Sequence, residues 1–297
     1  MATITNPHDK FFKESFSRLE VVQSFIQEVF PAGIKDKINL SKLQLTNSSF
    51  TDADLSEHLA DLVYKSEYAG QEATITLLFE HKSYREDFPQ WQLLRYMTNI
   101  WQEEQKQKQK SSVIIPIIIH HGNTNWNKIT MRRYFENPPD DLLKFLPEFD
   151  YLLFSLNDFE DYQIANFKNN FLSTTAMLLK HSRDEKEQFL SLISFWTEKL
   201  NLLEEAHEID FIRSVFTYID NGINLTTRDL TIIFTKVSNN VTNIAMTIAE
   251  EIKINTTIFY VKGLLKKGFD AAFIADTFEL PVKYVEEIIQ KIKESSN

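Results

Sequence analysis

The sequence predicts an α/β fold, with an αβββαβ core in the first half of the chain and an all-helical region after it. Three observations carry this reading. Helical apolar periodicity and β-branched apolar runs alternate up to about Asp158, and beyond it only helical periodicity is found. With Gly 6 and Pro 8 in 297 residues, long regular elements are favoured over a turn-rich all-β design. The expected organisation is a first domain over 1–158 and a helical region over 159–297, ending in a small helix-turn-helix-like element over 261–294.

The elements follow in order. From His8 to Phe30, apolar residues recur at three- and four-residue steps (Phe12, Phe16, Leu19, Val22, Ile26), which predicts one amphipathic helix closed by Pro31 and Gly33. Leu40–Phe50 alternates loosely and is expected to be a strand. His58–Tyr68 continues as a second strand, and Ala69-Gly70 supplies the turn into a third, Ala73–Ser83. Pro89 opens a helix over Gln90 to about Lys108 with Leu93, Leu94, Met97, Ile100 and Trp101 on one face. Val113–His120 is a solidly apolar strand, and Tyr151–Leu156 is expected beside it. Helices are then predicted over Tyr162–Lys180, Glu185–Leu202, Glu205–Ile219 and Leu230–Ile252, the last opened by a Thr226-x-x-Asp229 capping box.

Composition removes several function classes. The 43% hydrophobic content, Phe 24 among it, excludes a disordered chain. The absence of cysteine removes disulfides, thiolate zinc sites and cysteine nucleophiles, and suits a reducing cytoplasm, the expected location. Met1–Lys10 has no apolar stretch, so no signal peptide is expected. Val113–Ile119 is too short to cross a bilayer, so no membrane association is expected either. A net charge of -10 tells against a passive nucleic-acid binder, though carboxylates gathered around a cation reverse the local sign. No Gly-rich phosphate loop and no Gly-x-Ser-x-Gly elbow occurs. His120-His121 has no companions at zinc-ligand spacing.

One chemistry whose requirements the residues can meet is phosphodiester hydrolysis. That reaction wants an attacking water, neutralisation of charge on the phosphate, and help for the leaving oxygen, much of which a divalent ion held by carboxylates supplies. Mg²⁺ prefers oxygen and binds through one or two carboxylates while keeping several waters. Glu80 and Lys82 are two apart at the end of a strand and therefore share a face. Asp61, in the preceding strand, can sit beside Glu80 across the pair. His81 points the other way, yet its backbone carbonyl is a further candidate ligand. Gln92 and Tyr96, four apart on the helix that follows, share a face next to that strand; Gln92 is positioned to assist and Tyr96 to hold it. The plainer alternatives are a surface Glu–Lys pair, an exposed Gln and a half-buried Tyr.

Pro7-His8-Asp9-Lys10-Phe11-Phe12, Asp61-Leu62-Val63, Leu78-Phe79-Glu80-His81-Lys82-Ser83, Leu93-Leu94-Arg95-Tyr96-Met97 and Pro116–Gly122 with Trp126 occur in this order. Together these blocks resemble the recombination-promoting nuclease (Rpn) family, whose bacterial members are often called transposases. The resemblance implies a restriction-endonuclease-like PD-(D/E)XK fold, DNA cleavage dependent on Mg²⁺ (or Mn²⁺/Ca²⁺), and a link to recombination or mobile DNA. It carries Asp61 and Glu80 onto metal ligation and Lys82 onto the catalytic lysine. In related nucleases an acid of the first helix can approach the metal, which makes Asp9 and Glu14 auxiliary candidates. The chain departs from the family pattern in having Ala60 where a Pro precedes the Asp, and His120-His121 where Tyr-His is more usual.

The expected partner is DNA, with RNA not excluded because the residues read a phosphodiester and not a sugar. Double-strand cleavage needs two active sites, so a homodimer is the expected assembly. The rival reading is an inactive DNA-associated or assembly protein on a nuclease scaffold, motivated by the size of the helical half.

Overall fold

The computed structural model describes residues 6–46, 62–69, 71–223, 225, 235 and 238–294. Two compact units are formed, one by His8–Phe189 and the other by Leu190–Asn297 with Met1–Pro7. The change of character at Asp158 lies inside the first of these units.

Helices α1 (Pro7–Phe16) and α2 (Leu19–Val29) open the first unit. The single helix expected over His8–Phe30 is thus broken. The hydroxyl of Ser17 donates to the carbonyl of Lys13, and Arg18 turns extended (φ -77, ψ 119). Periodicity did not reveal the break because both pieces bury phenylalanines in one cluster: Phe16 meets Phe25 edge-on at 5.5 Å, and both lie against Phe79. A short helix α3 (Ala32–Lys35) follows.

The expected strand from Leu40 starts instead with a 3-10 turn, Leu40–Lys42, and pairing begins only at β1 (Gln44–Thr46). Strands β2 (Leu62–Tyr68) and β3 (Gln71–Lys82) form the expected antiparallel hairpin, with Leu62 opposite Phe79 and an irregularity at Glu67/Tyr68. Ala69 takes a positive φ of 57 in the connection. After α4 (Pro89–Lys106) the chain returns as β4 (Val113–His120), parallel to β3 over eight residue pairs from Ile75↔Val113 to Lys82↔His120. A parallel neighbour needs a crossover, and α4 is that crossover. Strand β5 (Leu152–Ser155) pairs parallel with β4 and completes a mixed sheet of order β1-β2-β3-β4-β5.

The pleat sorts β3 by parity. Leu78 belongs to a buried cluster with Leu93, Tyr96 and Met97 of α4, while Phe79 turns to the phenylalanines of α1 and α2. Burying a Phe or Leu in full contributes about 1.5–3 kcal/mol each, so both faces of this strand are strongly held. Its last residues inherit that rigidity.

Helices α5 (Asp161–Ala165) and α6 (Asn170–Lys180) replace the one helix expected over Tyr162–Lys180. Asn169 starts the second by accepting the amide of Leu172 at 2.9 Å. Helix α7 (Lys186–Ser191) follows. In the other unit, α8 (Ile193–Glu205) and α9 (Ile209–Gly222) are separated at His207, whose φ is 62. Helix α10 (Asn239–Lys266) is capped by Ser238, whose hydroxyl accepts the amide of Val241 at 3.0 Å. The Thr226–Asp229 capping box lies outside the described residues. After a turn at Gly268 (φ 87) come α11 (Ala271–Thr277) and α12 (Val282–Glu294). Val261, Ile274, Ala275, Val285 and Ile288 form their common core. Among the described residues no helix is long and apolar enough to cross a membrane.

Candidate active site

By the parity that sends Leu78 toward α4, Glu80 and Lys82 follow onto the same face, and His81 faces α1. All three are buried, at 4%, 8% and 8% exposure in the order Glu80, His81, Lys82. A buried carboxylate and a buried ammonium need partners, and these have each other and Gln92. The Lys82 Nζ lies 3.1 Å from Glu80 Oε1 and donates to Gln92 Oε1 at 2.6 Å. Gln92 Nε2 donates to Glu80 Oε1 at 2.7 Å and to the Tyr96 hydroxyl at 2.7 Å. Its amide therefore shows its oxygen to the cation and its nitrogen to the anion.

One atom is left over. Glu80 Oε2 is buried and has no hydrogen-bond partner among the described residues. Burial pushes the Glu80 carboxyl above its ordinary value; Lys82 and Lys13 offset part of that rise and Asp9 adds to it. A buried carboxylate oxygen with no partner among the described residues is a hard donor of the kind a divalent cation takes.

Asp61 lies outside the described residues. Its chain neighbour Leu62 is paired with Phe79, the neighbour of Glu80. Of the auxiliary candidates, Asp9 forms an ion pair with Lys13 at 3.1 Å and acts electrostatically on Glu80, whereas Glu14 is exposed on α1. Among the described residues no three His, Cys, Asp or Glu side chains gather as a metal-holding group.

On the opposite face of β3, a column of rings supports the site. His81 stacks on Phe12 at 4.7 Å and on His121 at 4.8 Å, and His8 lies 5.0 Å from His121. His121 Nδ1 donates to the Leu179 carbonyl at 3.0 Å, and burial lowers its pKa to about 3, so the ring is neutral. His120 accepts the amide of Gly122 on Nε2 at 3.1 Å and donates from Nδ1 to the Ser155 hydroxyl at 3.1 Å. Both histidines are committed to packing by partners remote in the chain, which is why spacing gave them no role.

Beside Lys82 and Gln92 opens a cleft of about 410 Å³. Helix α4 contributes to it twice: Gln92 and Tyr96 on the stripe facing β3, Trp91 and Arg95 on the neighbouring, exposed stripe. The loop after β3 adds Tyr84, Glu86 and Phe88. Periodicity does not single out Tyr84, Phe88 and Trp91; three large aromatics placed among charged residues directly after the Glu80–Lys82 strand end are the available signal.

The family model described as "Putative transposase, YhgA-like" matches residues 6–210. Among curated proteins, similarity is found to the "Inactive recombination-promoting nuclease-like protein RpnE" of Escherichia coli strain K12, 24% identical over 184 residues, covering 62% of this chain and 61% of that protein. It extends to the recombination-promoting nuclease RpnC of the same strain, at 23% over 131 residues and 44% of each chain. The recombination-promoting nuclease RpnA of that strain is 26% identical over 119 residues, 40% of this chain and 41% of the relative. The chain thus spans about half the length of these relatives. No solved structure matches.

Proposed function

The chain belongs to the YhgA-like transposase family, and from that membership we propose that it is a divalent-metal-dependent endodeoxyribonuclease. The observation that carries the reading is the Oε2 of buried Glu80, which has no partner among the described residues, beside the Lys82 ammonium at the end of the second strand of a hairpin. Related proteins that carry the name recombination-promoting nuclease support it. In this reading the order from α1 to β4 is a PD-(D/E)XK core, and the activity serves recombination or mobile DNA.

Glu80, Asp61 and the His81 carbonyl would hold Mg²⁺, Mn²⁺ or Ca²⁺. A bound cation supplies charge neutralisation on the phosphate and acidifies a coordinated water. Lys82 contributes a fixed positive charge where negative charge develops on the phosphoryl group, and its N–H groups can orient the attacking water. Gln92 keeps that ammonium and the Glu80 carboxylate in mutual register, so neither reorganises during reaction. Tyr96 anchors Gln92. The expected products are a 5′-phosphate and a 3′-hydroxyl.

Purified protein incubated with supercoiled plasmid or single-stranded circular DNA and Mg²⁺, Mn²⁺ or Ca²⁺ tests the proposal. The native chain cuts at least one of the two, and Lys82→Ala and Asp61→Ala reduce the rate at least ~100-fold. Equal nicking by all three indicts a contaminant and sinks the assignment. The second reading is a nuclease scaffold without turnover, favoured by the inactive label on the relative matched over 184 residues. Calorimetric titration separates the two, because a dead scaffold lacks carboxylate-dependent cation binding.

A further inference from the structure

The cleft beside the site is built unlike a groove for double-stranded DNA. Duplex recognition at the backbone uses exposed cations and polar groups, because the bases are stacked away inside. Here the cations are few: Lys82 and Arg95 share the lining with the carboxylate of Glu86. What the cleft offers instead is aromatic surface. Tyr84 is 56% exposed, Phe88 51% and Trp91 42%. Two of these rings are braced from behind. Phe88 meets Tyr134 edge-on at 4.9 Å, and Trp91 lies 5.7 Å from Tyr134 and 6.1 Å from Phe135. Exposed, braced rings are costly to leave in water and are preorganised to take a flat partner.

Resting on the nuclease reading of the adjoining residues, we infer that this cleft takes the base of an unpaired nucleotide, so that the substrate is single-stranded DNA or an unpaired end. A strand whose phosphate lies at Lys82 and Arg95 has its base within the same cavity, whose volume of about 410 Å³ is on the scale of a small-ligand site. Every base has a π-face, so stacking on Trp91, Phe88 and Tyr84 holds the strand without reading its sequence. A paired base cannot enter without leaving its duplex stack. The aromatic wall therefore sets strandedness, and the Lys82 wall does chemistry. The net charge of -10 fits this division, since attraction to a long polyanion is weak and local stacking supplies the grip.

The test is a binding measurement in EDTA, so that no cleavage occurs. A fluorescently labelled oligonucleotide with one 2-aminopurine is offered single-stranded and as its duplex to the native chain, Trp91→Ala, Phe88→Ala and Trp91→Phe. The native chain is expected to bind the single strand more tightly and to quench 2-aminopurine. Each alanine variant loses at least about fivefold in single-strand affinity together with the quenching, and Trp91→Phe keeps most of both. Equal affinity for strand and duplex, equal losses on both, or quenching untouched by the alanines overturns the inference. Cleavage is not measured, so this result stands or falls separately from the plasmid assay.

Discussion

Lys82 donates to the side-chain oxygen of Gln92 at 2.6 Å, and that one bond decides which way the Gln92 amide faces. With its oxygen taken, the amide can only offer nitrogen to Glu80 and Tyr96, at 2.7 Å each. Gln92→Ala should therefore release the ammonium and the carboxylate together. The expected loss is ~10–100-fold in turnover with little change in thermal stability. Gln92→Glu keeps the shape but sets a second anion beside Glu80, and the rate–pH profile should move to higher pH. A profile unmoved from the native one would mean that Gln92 is a bystander.

The buried Glu80 carboxyl is a liability in the metal-free protein, since burial raises its pKa and one oxygen has no partner among the described residues. Glu80→Gln removes the charge at nearly constant volume. Its melting temperature without metal should equal or exceed that of the native chain, while activity disappears. Cation at about 100 times its Kd should stabilise the native chain by about 2.7 kcal/mol and leave the variant unmoved. A cation-induced shift of equal size in both proteins would place the binding elsewhere.

Gly122 follows the end of β4 against the loop after β3. A Cβ there would stand 2.6 Å from His120 Nε2 and 2.8 Å from the Ser83 carbonyl. The carbonyl is backbone and cannot swing away, so Gly122→Ala must shift the junction of two strands. A destabilisation of ~1–3 kcal/mol is expected in thermal or urea unfolding, with Lys82 disturbed through its carbonyl, which accepts the His121 amide at 3.0 Å.

At the far end of the sheet, buried Glu104 accepts the Ser112 amide at 2.9 Å and the Ser112 hydroxyl at 2.8 Å, and lies 2.8 Å from Lys65 Nζ. Burial pushes this carboxyl up, but the Lys65 and Ser112 interactions outweigh it and hold the group below 4.5. A depressed carboxyl contributes stability that is complete above its unfolded value and lost as pH falls through the folded one. Glu104→Gln should thus cost ~1–3 kcal/mol near neutrality, and the gap should close as pH drops below 4.5. Melting curves of both proteins across pH 3–7 check it; a gap independent of pH would show that shape, not charge, matters.

What could be read from the sequence was whatever depends on short-range periodicity. Alternation along β3 put Glu80 and Lys82 together and His81 apart, and a four-residue step put Gln92 with Tyr96. Both relations are present. The break at Ser17–Arg18 was hidden because the turn returns both helices to one core, and the break before Asn169 was hidden for a similar reason. His121 was illegible for another cause: its partners, Leu179 and His81, are brought near only by the tertiary fold. Exposure is likewise a property of the assembled surface, so Tyr84, Phe88 and Trp91 could be counted in the sequence but not located. Asp61, the other half of the expected ligand pair, lies outside the described residues.

The β3–β4 connection divides labour along a few residues of chain. Glu80 and Lys82 are held in the ladder between β3 and β4, opposite Ile118 and His120, directly after the residues of β3 that also pair with β2. Ser83–Phe88, directly downstream, belongs to no ladder and carries Tyr84 and Phe88 at its surface. If the cleft takes an unpaired base as proposed, substitutions in that loop would change which strand ends are admitted while Glu80 and Lys82 stay as they are. A library confined to those six positions is therefore the economical route to altered substrate choice at unchanged chemistry.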